Sequence, residues 1–315
     1  MKYLHPQVFF FLGFSLFLGQ KTLAQPFNLD WLFQAGMRLN MSILPKLNQD
    51  STKFHFTQVQ AGFILPLKGK ANISLKELDI NGYQNFLNIV AGQRQVSTHI
   101  APENINVNNL SIGFTRLSAS LRTGIWVYVA NVGILNTAGT SQAVPFGVIS
   151  AAKVKIRGLG NQNIFGGALA YFNNQVIPTP VIGINRKMSK KWNFRLLFPV
   201  SLTFSYLHNK KNTFDFRVNS QVFQTSVMVP VPNTSDRLKE RWQYRQFQVN
   251  SVWRYRVQRG WFFLGEVGIA TSRRLTQGEN LREWNTNFQT APYFTFSTTF
   301  NFGKELLGSQ IFAME

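Results

Sequence analysis

Residues 192–206 read WNFRLLFPVSLTFSY, and every even position, from Trp192 and Phe194 through Leu196, Phe198, Val200, Leu202 and Phe204 to Tyr206, is apolar or aromatic. Asn193, Arg195, Thr203 and Ser205 fall between them. A period of two belongs to a strand with one apolar and one polar face, whereas a helix repeats every 3.6 residues. Strands of soluble sheets are usually ~5–6 residues long, and those that cross an outer membrane need ~9–11 residues in lipid. Trp192 and Tyr206 stand at the two ends, where aromatic residues collect at membrane–water interfaces. Pro199 divides the stretch. Either the strand runs through it with its phase unchanged, or the chain turns there and leaves two halves too short to span.

The same alternation runs through the rest of the chain. Leu29, Trp31, Phe33, Met37, Leu39, Met41 and Ile43 form one row, and Phe247, Val249, Trp253, Tyr255 and Val257 another. Phe294, Phe296, Phe300 and Phe302 alternate with Thr295, Ser297, Thr299 and Asn301. Strands are expected near 28–44, 53–66, 71–91, 108–116, 120–135, 146–158, 163–173, 178–187, 192–207, 213–229, 241–257, 261–274 and 291–302. Short turns are expected at 67–70, 117–119, 158–162, 188–191 and 258–260. Longer polar connections are expected at 45–52, 92–106, 136–145, 230–240 and 275–290. Short and long connections in alternation are the habit of outer-membrane barrels, short on the periplasmic side. The expected fold is all-β: a transmembrane antiparallel up-and-down β-barrel of 12–14 strands. A soluble sandwich is the competing reading, and strand length disfavours it.

The first 24 residues have the order of a secretory signal peptide. Lys2 precedes the apolar run 8–18, and small residues lead to Ala24 before Gln25. That run is shorter than the ~20 residues a spanning helix needs. The expected organisation is a cleaved segment 1–24, a barrel over 25–303 and a tail over 304–315, in the outer membrane of a Gram-negative bacterium. With no cysteine in 315 residues, disulfides, thiolate metal sites and a lipidated N-terminus are excluded. Without the segment 1–24, 31 basic residues stand against 13 acidic, a net charge of +18. Such a balance calls for acidic partners, namely lipid phosphates, lipopolysaccharide or small anionic solutes. Export argues against nucleic acid.

The segment Pro180-Val-Ile-Gly-Ile-Asn-Arg-Lys-Met-Ser-Lys-Lys-Trp192, continued through Phe198-Pro199 to Ser205-Tyr206, resembles one family of uncharacterised outer-membrane β-barrels. Phe63-Ile-Leu-Pro66, Trp126, Tyr255 and Gly265-Glu-Val-Gly268 before Arg273-Arg274 are similar to its pattern, so the resemblance covers roughly residues 28–303. It implies an outer-membrane barrel and no assigned activity; the barrel-assembly machinery is an expected partner. Many such barrels end on a C-terminal Phe. Here residues 303–315 follow Phe302, so the assembly signal is read internally or Phe312 contributes.

If the apolar face of each strand meets lipid, the opposite face lines the lumen. That rule places Arg38, Arg122, Lys153, Lys155, Arg157, Arg195, Arg217, Arg254 and Arg256 inside, with Asp30, Asp215 and Glu266 as the acidic residues there. A basic lumen of this kind would favour anions in a small channel or a binding barrel. Alternatively, the same residues form a hydrogen-bonded network that fills a closed barrel. Catalysis has little support. His55, His99 and His208 lack a neighbouring nucleophile on a strand, the carboxylates show no pairing, and no cluster has metal-ligand spacing. Gly158-Leu-Gly160 and Gly166-Gly167 precede no helix and so form no phosphate loop. The chain is therefore expected to be a non-enzymatic barrel without cofactor or metal, with a lipid-modifying barrel enzyme as the alternative.

Overall fold

The computed structural model describes residues 36–301 apart from 46–53, 75–78, 98–104, 121–123, 138–142, 159–160, 173–174, 199–200, 231–236 and 279–283. The signal-peptide and tail assignments, and with them Asp30, lie outside the described residues, as do Arg122 and His99.

The strands are β1 Gly36–Leu44, β2 His55–Ser74, β3 Asp79–Ser97, β4 Ile105–Ser120, β5 Gly124–Thr137, β6 Val144–Gly158, β7 Asn161–Phe172 and β8 Gln175–Lys187. They continue as β9 Trp192–Phe198, β10 Ser201–Leu207, β11 Asn212–Pro230, β12 Arg237–Gln258, β13 Trp261–Gln277, β14 Trp284–Phe288 and β15 Ala291–Asn301. Each of β1 to β13 pairs antiparallel with its successor in the chain. β15 then joins β13 to β1 and closes the ring, while β14 lies against the upper end of β13. The result is a closed barrel of fourteen strands, transmembrane in type.

Pro199 decides the count. The stretch 192–207 is two strands, β9 and β10, paired from Leu197↔Ser201 to Trp192↔Tyr206. The reversal from β9 to β10 leaves the alternation in phase, because directly opposed residues of a hairpin share a face. The sequence pattern therefore cannot distinguish one long strand from this hairpin. Three further expectations are corrected. Residues 67–70 are not a turn but lie within β2, where a bulge between Pro66 and Gly69 takes up the misfit. β4 continues through 117–119 to Ser120. The supposed loop 92–106 is strand as far as Ser97.

With β10 and β11 joined over 208–211 and β12 and β13 over 259–260, the start of β1, the end of β15 and every connection following an even-numbered strand up to β12 share one end of the barrel. We call it the short-turn end. Its turns are built locally. Ser189 Oγ accepts from the Lys191 and Trp192 amides at 3.2 and 3.1 Å, and Asn209 Oδ1 accepts from the Lys211 and Asn212 amides at 2.9 Å each. Gly260 has φ +82°, and its carbonyl accepts from the Asn301 amide at 2.7 Å.

The outward face is an apolar band in which Leu39, Met41, Phe114, Val132, Ile149, Phe165, Val249 and Phe296 are all exposed. So large an exposed apolar surface suits lipid and not water. Aromatic residues gather near the short-turn end of this face. Trp192 and Tyr206 lie 4.8 Å apart between ring centroids, Trp253 and Tyr255 5.8 Å, and Trp126 and Tyr128 6.0 Å. Such a girdle marks one interface of a membrane.

A side chain at Gly260 would be forced into the left-handed region, with its Cβ 2.9 Å from the Asn301 carbonyl oxygen. Gly260→Ala is expected to lower stability by about 1–2 kcal/mol, read as an earlier denaturant midpoint of the barrel in detergent micelles.

Candidate functional site: the filled interior

The interior is layered. At the long-connection end, Leu44, Phe56, Val96, Phe146, Phe172 and Trp242 belong to one buried apolar cluster. Toward the short-turn end Ile64, Phe86, Ile125, Val127, Val154 and Ile164 belong to a second. Between and beside them lies a polar belt from β1, β10–β13 and β15. In it Ser42 and Thr295 share a hydrogen bond of 3.0 Å, and Gln248 donates to Gln221 at 2.9 Å.

Much of the charge in this belt is paired. Arg217 and Asp215 sit two residues apart on one face of β11 and form a buried ion pair, which Arg254 of β12 joins at 3.3 Å. Asn250 donates to Glu266 on β13, and that carboxylate lies within electrostatic range of Arg217 and Arg38. Arg217 and Arg254 thus share the Asp215 carboxylate, while Arg38, whose Nε has no hydrogen-bond partner, lies only within electrostatic range of Glu266. Removing one carboxylate would strand buried positive charge, at a cost of ~3–5 kcal/mol.

A second anchor was not anticipated from the sequence. Ser272 has φ 48° and marks a bulge where β13 slips against β12. Even positions of β13 point inward up to Ala270, and odd positions do so beyond it. Arg273 is consequently buried, at 1% exposure. Its Nε donates to the Tyr244 hydroxyl at 2.9 Å, Nη1 to the Gln289 carbonyl at 2.6 Å and Nη2 to the Phe54 carbonyl at 2.7 Å. Phe54 stacks on Tyr244 at 4.2 Å and touches Phe288 at 4.9 Å. One guanidinium therefore ties β12, β13, the approach to β2 and the β14–β15 connection together. Arg94, also buried, donates to Gln58 through Nε at 3.1 Å. It lies in β3, within the stretch 92–106 whose polar composition reads as a loop.

Of the nine basic residues assigned to the lumen, Arg38, Arg195, Arg217, Arg254 and Arg256 fall on inward faces, Arg256 against Phe262 with 5.5 Å to the ring centroid. Lys153, Lys155 and Arg157 do not. Val154 between them is fully buried and so points inward, while Lys153 sits 5.6 Å from the ring centroid of outward-facing Trp126. The rule that apolar means lipid fails on β6 because its other face packs in the apolar interior. The three cations belong instead to the outer surface at the short-turn end. Arg116 joins them there, 4.4 Å from the Tyr83 ring centroid.

The interior is also narrow. β5 and β11, six strands apart around the ring, approach across it to within 8 Å between Cα atoms. No open bore of fourteen-strand width remains between them. Among the described residues no group of three or more His, Asp or Glu is placed to hold a metal ion. His208 lies in the β10–β11 turn with its ring 6.2 Å from Tyr206 and 6.3 Å from Phe214.

No family model and no curated protein matches the chain, so the family resemblance gains no support from either comparison. Among solved structures it is similar to the β domain of the Bordetella autotransporter BrkA, with 8% identity, TM-score 0.34, and 85% of this chain and 100% of that one covered. The translocator domain of the Neisseria meningitidis autotransporter NalP gives 8% identity and TM-score 0.26, over 85% of this chain and 87% of that one. The Ralstonia pickettii toluene transporter TbuX gives 7% and 0.23, over 90% and 93%. Overlaps this loose carry no functional argument. The barrel class rests on the strand ladders.

Inward and outward cations should respond differently to substitution. Asp215→Ala and Arg273→Met are each expected to cost about 3 kcal/mol or more, whereas Lys155→Gln on the exposed face should cost less than about 0.5 kcal/mol. Denaturant midpoints of the three variants in micelles check the contrast, and equal effects would refute the inward–outward assignment.

Proposed function

We propose that this chain is a non-enzymatic outer-membrane β-barrel with a closed interior, one that binds at its surface or within its wall and does not conduct. The observation that carries the reading is the approach of β5 to β11 across the interior, and the segments tied together by Arg273 add to it. An open pore needs a continuous wet path lined by groups that water can reach, whereas here Arg217 and Arg254 are engaged by a carboxylate, Arg94 by an amide and Arg256 by an aromatic ring.

The aromatic girdle and the outward cations support placing the short-turn end at the periplasm. There Lys153, Lys155 and Arg157 would meet phospholipid phosphates, and the long connections would face lipopolysaccharide. The barrel-assembly machinery is the expected partner in insertion. The seat for small anions that the basic lumen suggested is largely taken by Asp215 and Glu266.

In a planar bilayer the purified full-length chain is expected to be electrically silent while showing the heat-modifiable gel migration of a folded barrel. Stepwise conductance with anion preference from the same preparation would overturn the closed-barrel reading and restore the channel.

A further inference from the structure

A row of outward residues crosses five neighbouring strands at the girdle. Lys70 of β2 stands opposite Tyr83 of β3, and Tyr83 opposite Ser118 of β4. Ser118 in turn opposes Trp126 of β5, and Trp126 opposes Lys153 of β6. Directly opposed residues share a face. Ile125 and Val127 are buried, so Trp126 and with it the whole row face outward. A small side chain between two rings leaves a dip. The resulting cavity, of about 220 Å³, has Lys70, Asn81, Tyr83, Ser118 and Ser120 in its lining.

Depth orders the groups around this cavity. Two residues from Ser118 toward the apolar band is Arg116, whose guanidinium lies over the Tyr83 ring, 4.4 Å from its centroid. Stacking uses the faces of a guanidinium and leaves its N–H edges for an acceptor. Two residues further along is Phe114, opposed to Leu87, which is opposed to Leu65, and both Leu65 and Phe114 are exposed. From the short-turn end into the band, the surface thus offers hydroxyls beside Lys70, then Arg116, then apolar side chains. Competing carboxylates are scarce. Strands β2 to β10 contain a single acidic residue, Asp79, four positions along β3 from Tyr83.

That order of groups is the profile of a glycerophospholipid from head to tail. We propose that this outward cavity binds one anionic glycerophospholipid of the inner leaflet. Its phosphodiester lies between Lys70 and Arg116, the hydroxyls of its head at Ser118, and its chains on Leu65, Leu87 and Phe114. A zwitterionic head would bring an ammonium group among Lys70, Arg116 and Lys153, so the lipid with net negative charge is preferred. The site rests on the placement of the short-turn end at the periplasm proposed above, but it does not depend on whether the barrel conducts.

The test titrates the purified, delipidated full-length chain in micelles with phosphatidylglycerol or with phosphatidylethanolamine of the same chains, and native mass spectrometry counts the bound lipid. One phosphatidylglycerol is expected to bind about tenfold more tightly than phosphatidylethanolamine. Arg116→Gln and Lys70→Gln should each weaken it about fivefold, while Lys210→Gln, in the β10–β11 turn, leaves it unchanged. Heat-modifiable migration checks that each variant is folded. Equal affinity for the two lipids overturns the recognition of charge and needs no variant. Binding indifferent to Lys70 and Arg116 overturns the location, and displacement by an equal concentration of free glycerol phosphate overturns a lipid as the occupant. Tighter binding of lipid A through the same two residues assigns this end to the outer leaflet and overturns the placement together with the occupant. If the barrel proves conducting while phosphatidylglycerol binds as described, the closed-barrel reading fails and this one stands.

Discussion

A sheet with an apolar outer face is stable in lipid only if its backbone donors and acceptors are satisfied within the sheet, because hydrocarbon offers none. Much of this molecule can be read as a response to that constraint. The ladders β1–β15 and β13–β15 close a ring that would otherwise expose two long edges. The turns at the short-turn end use serine and asparagine side chains to cap the amides that the ladders leave over. Above the β9–β10 hairpin, where among the described residues no ladder joins β8 to β11, Pro178 and Pro180 remove two amide donors from β8.

Closure leaves an interior that must itself be filled or flooded, and here it is filled. The two apolar clusters bury Leu, Val, Ile and Phe much as a globular core does. In the polar belt Arg217 and Arg254 meet a carboxylate, and toward the long connections Arg94 and Arg273 meet an amide and carbonyl oxygens. Buried ion pairs contribute little net stability over apolar packing, but they are costly to break singly. The network around Asp215 is best understood as a constraint on how β11, β12 and β13 can sit against one another. Arg273 works similarly at the other end, where a bulge at Ser272 turns one side chain inward to hold three segments together.

Much of this was legible in the sequence, and the failures have definite causes. Period-two rows such as Leu39, Met41 and Ile43, or Phe294 and Phe296, identified outward faces correctly, because on those strands the opposite face is polar. β6 defeated the same rule: Val154 packs inside, so Lys153 and Lys155 point out. Pro199 was ambiguous for a geometric reason, since a hairpin returning in register preserves phase. Bulges at 66–69 and at Ser272 were invisible, because a bulge changes which residue faces inward without altering composition. Arg273 was therefore unforeseen as an inward residue, although the break in alternation after Ile269 was a usable signal.

The closed, filled interior can be tested directly because the chain contains no cysteine. Single cysteines placed at Ser42 and Ser297, both buried inward, and at Ser189 in an exposed turn would each be the only thiol present. With a water-soluble maleimide applied to the folded protein, Ser189→Cys should react fully, while Ser42→Cys and Ser297→Cys stay unmodified until the barrel is denatured. Modification of the two inward positions in the folded protein at the rate of Ser189→Cys would show a water-filled lumen and contradict the account.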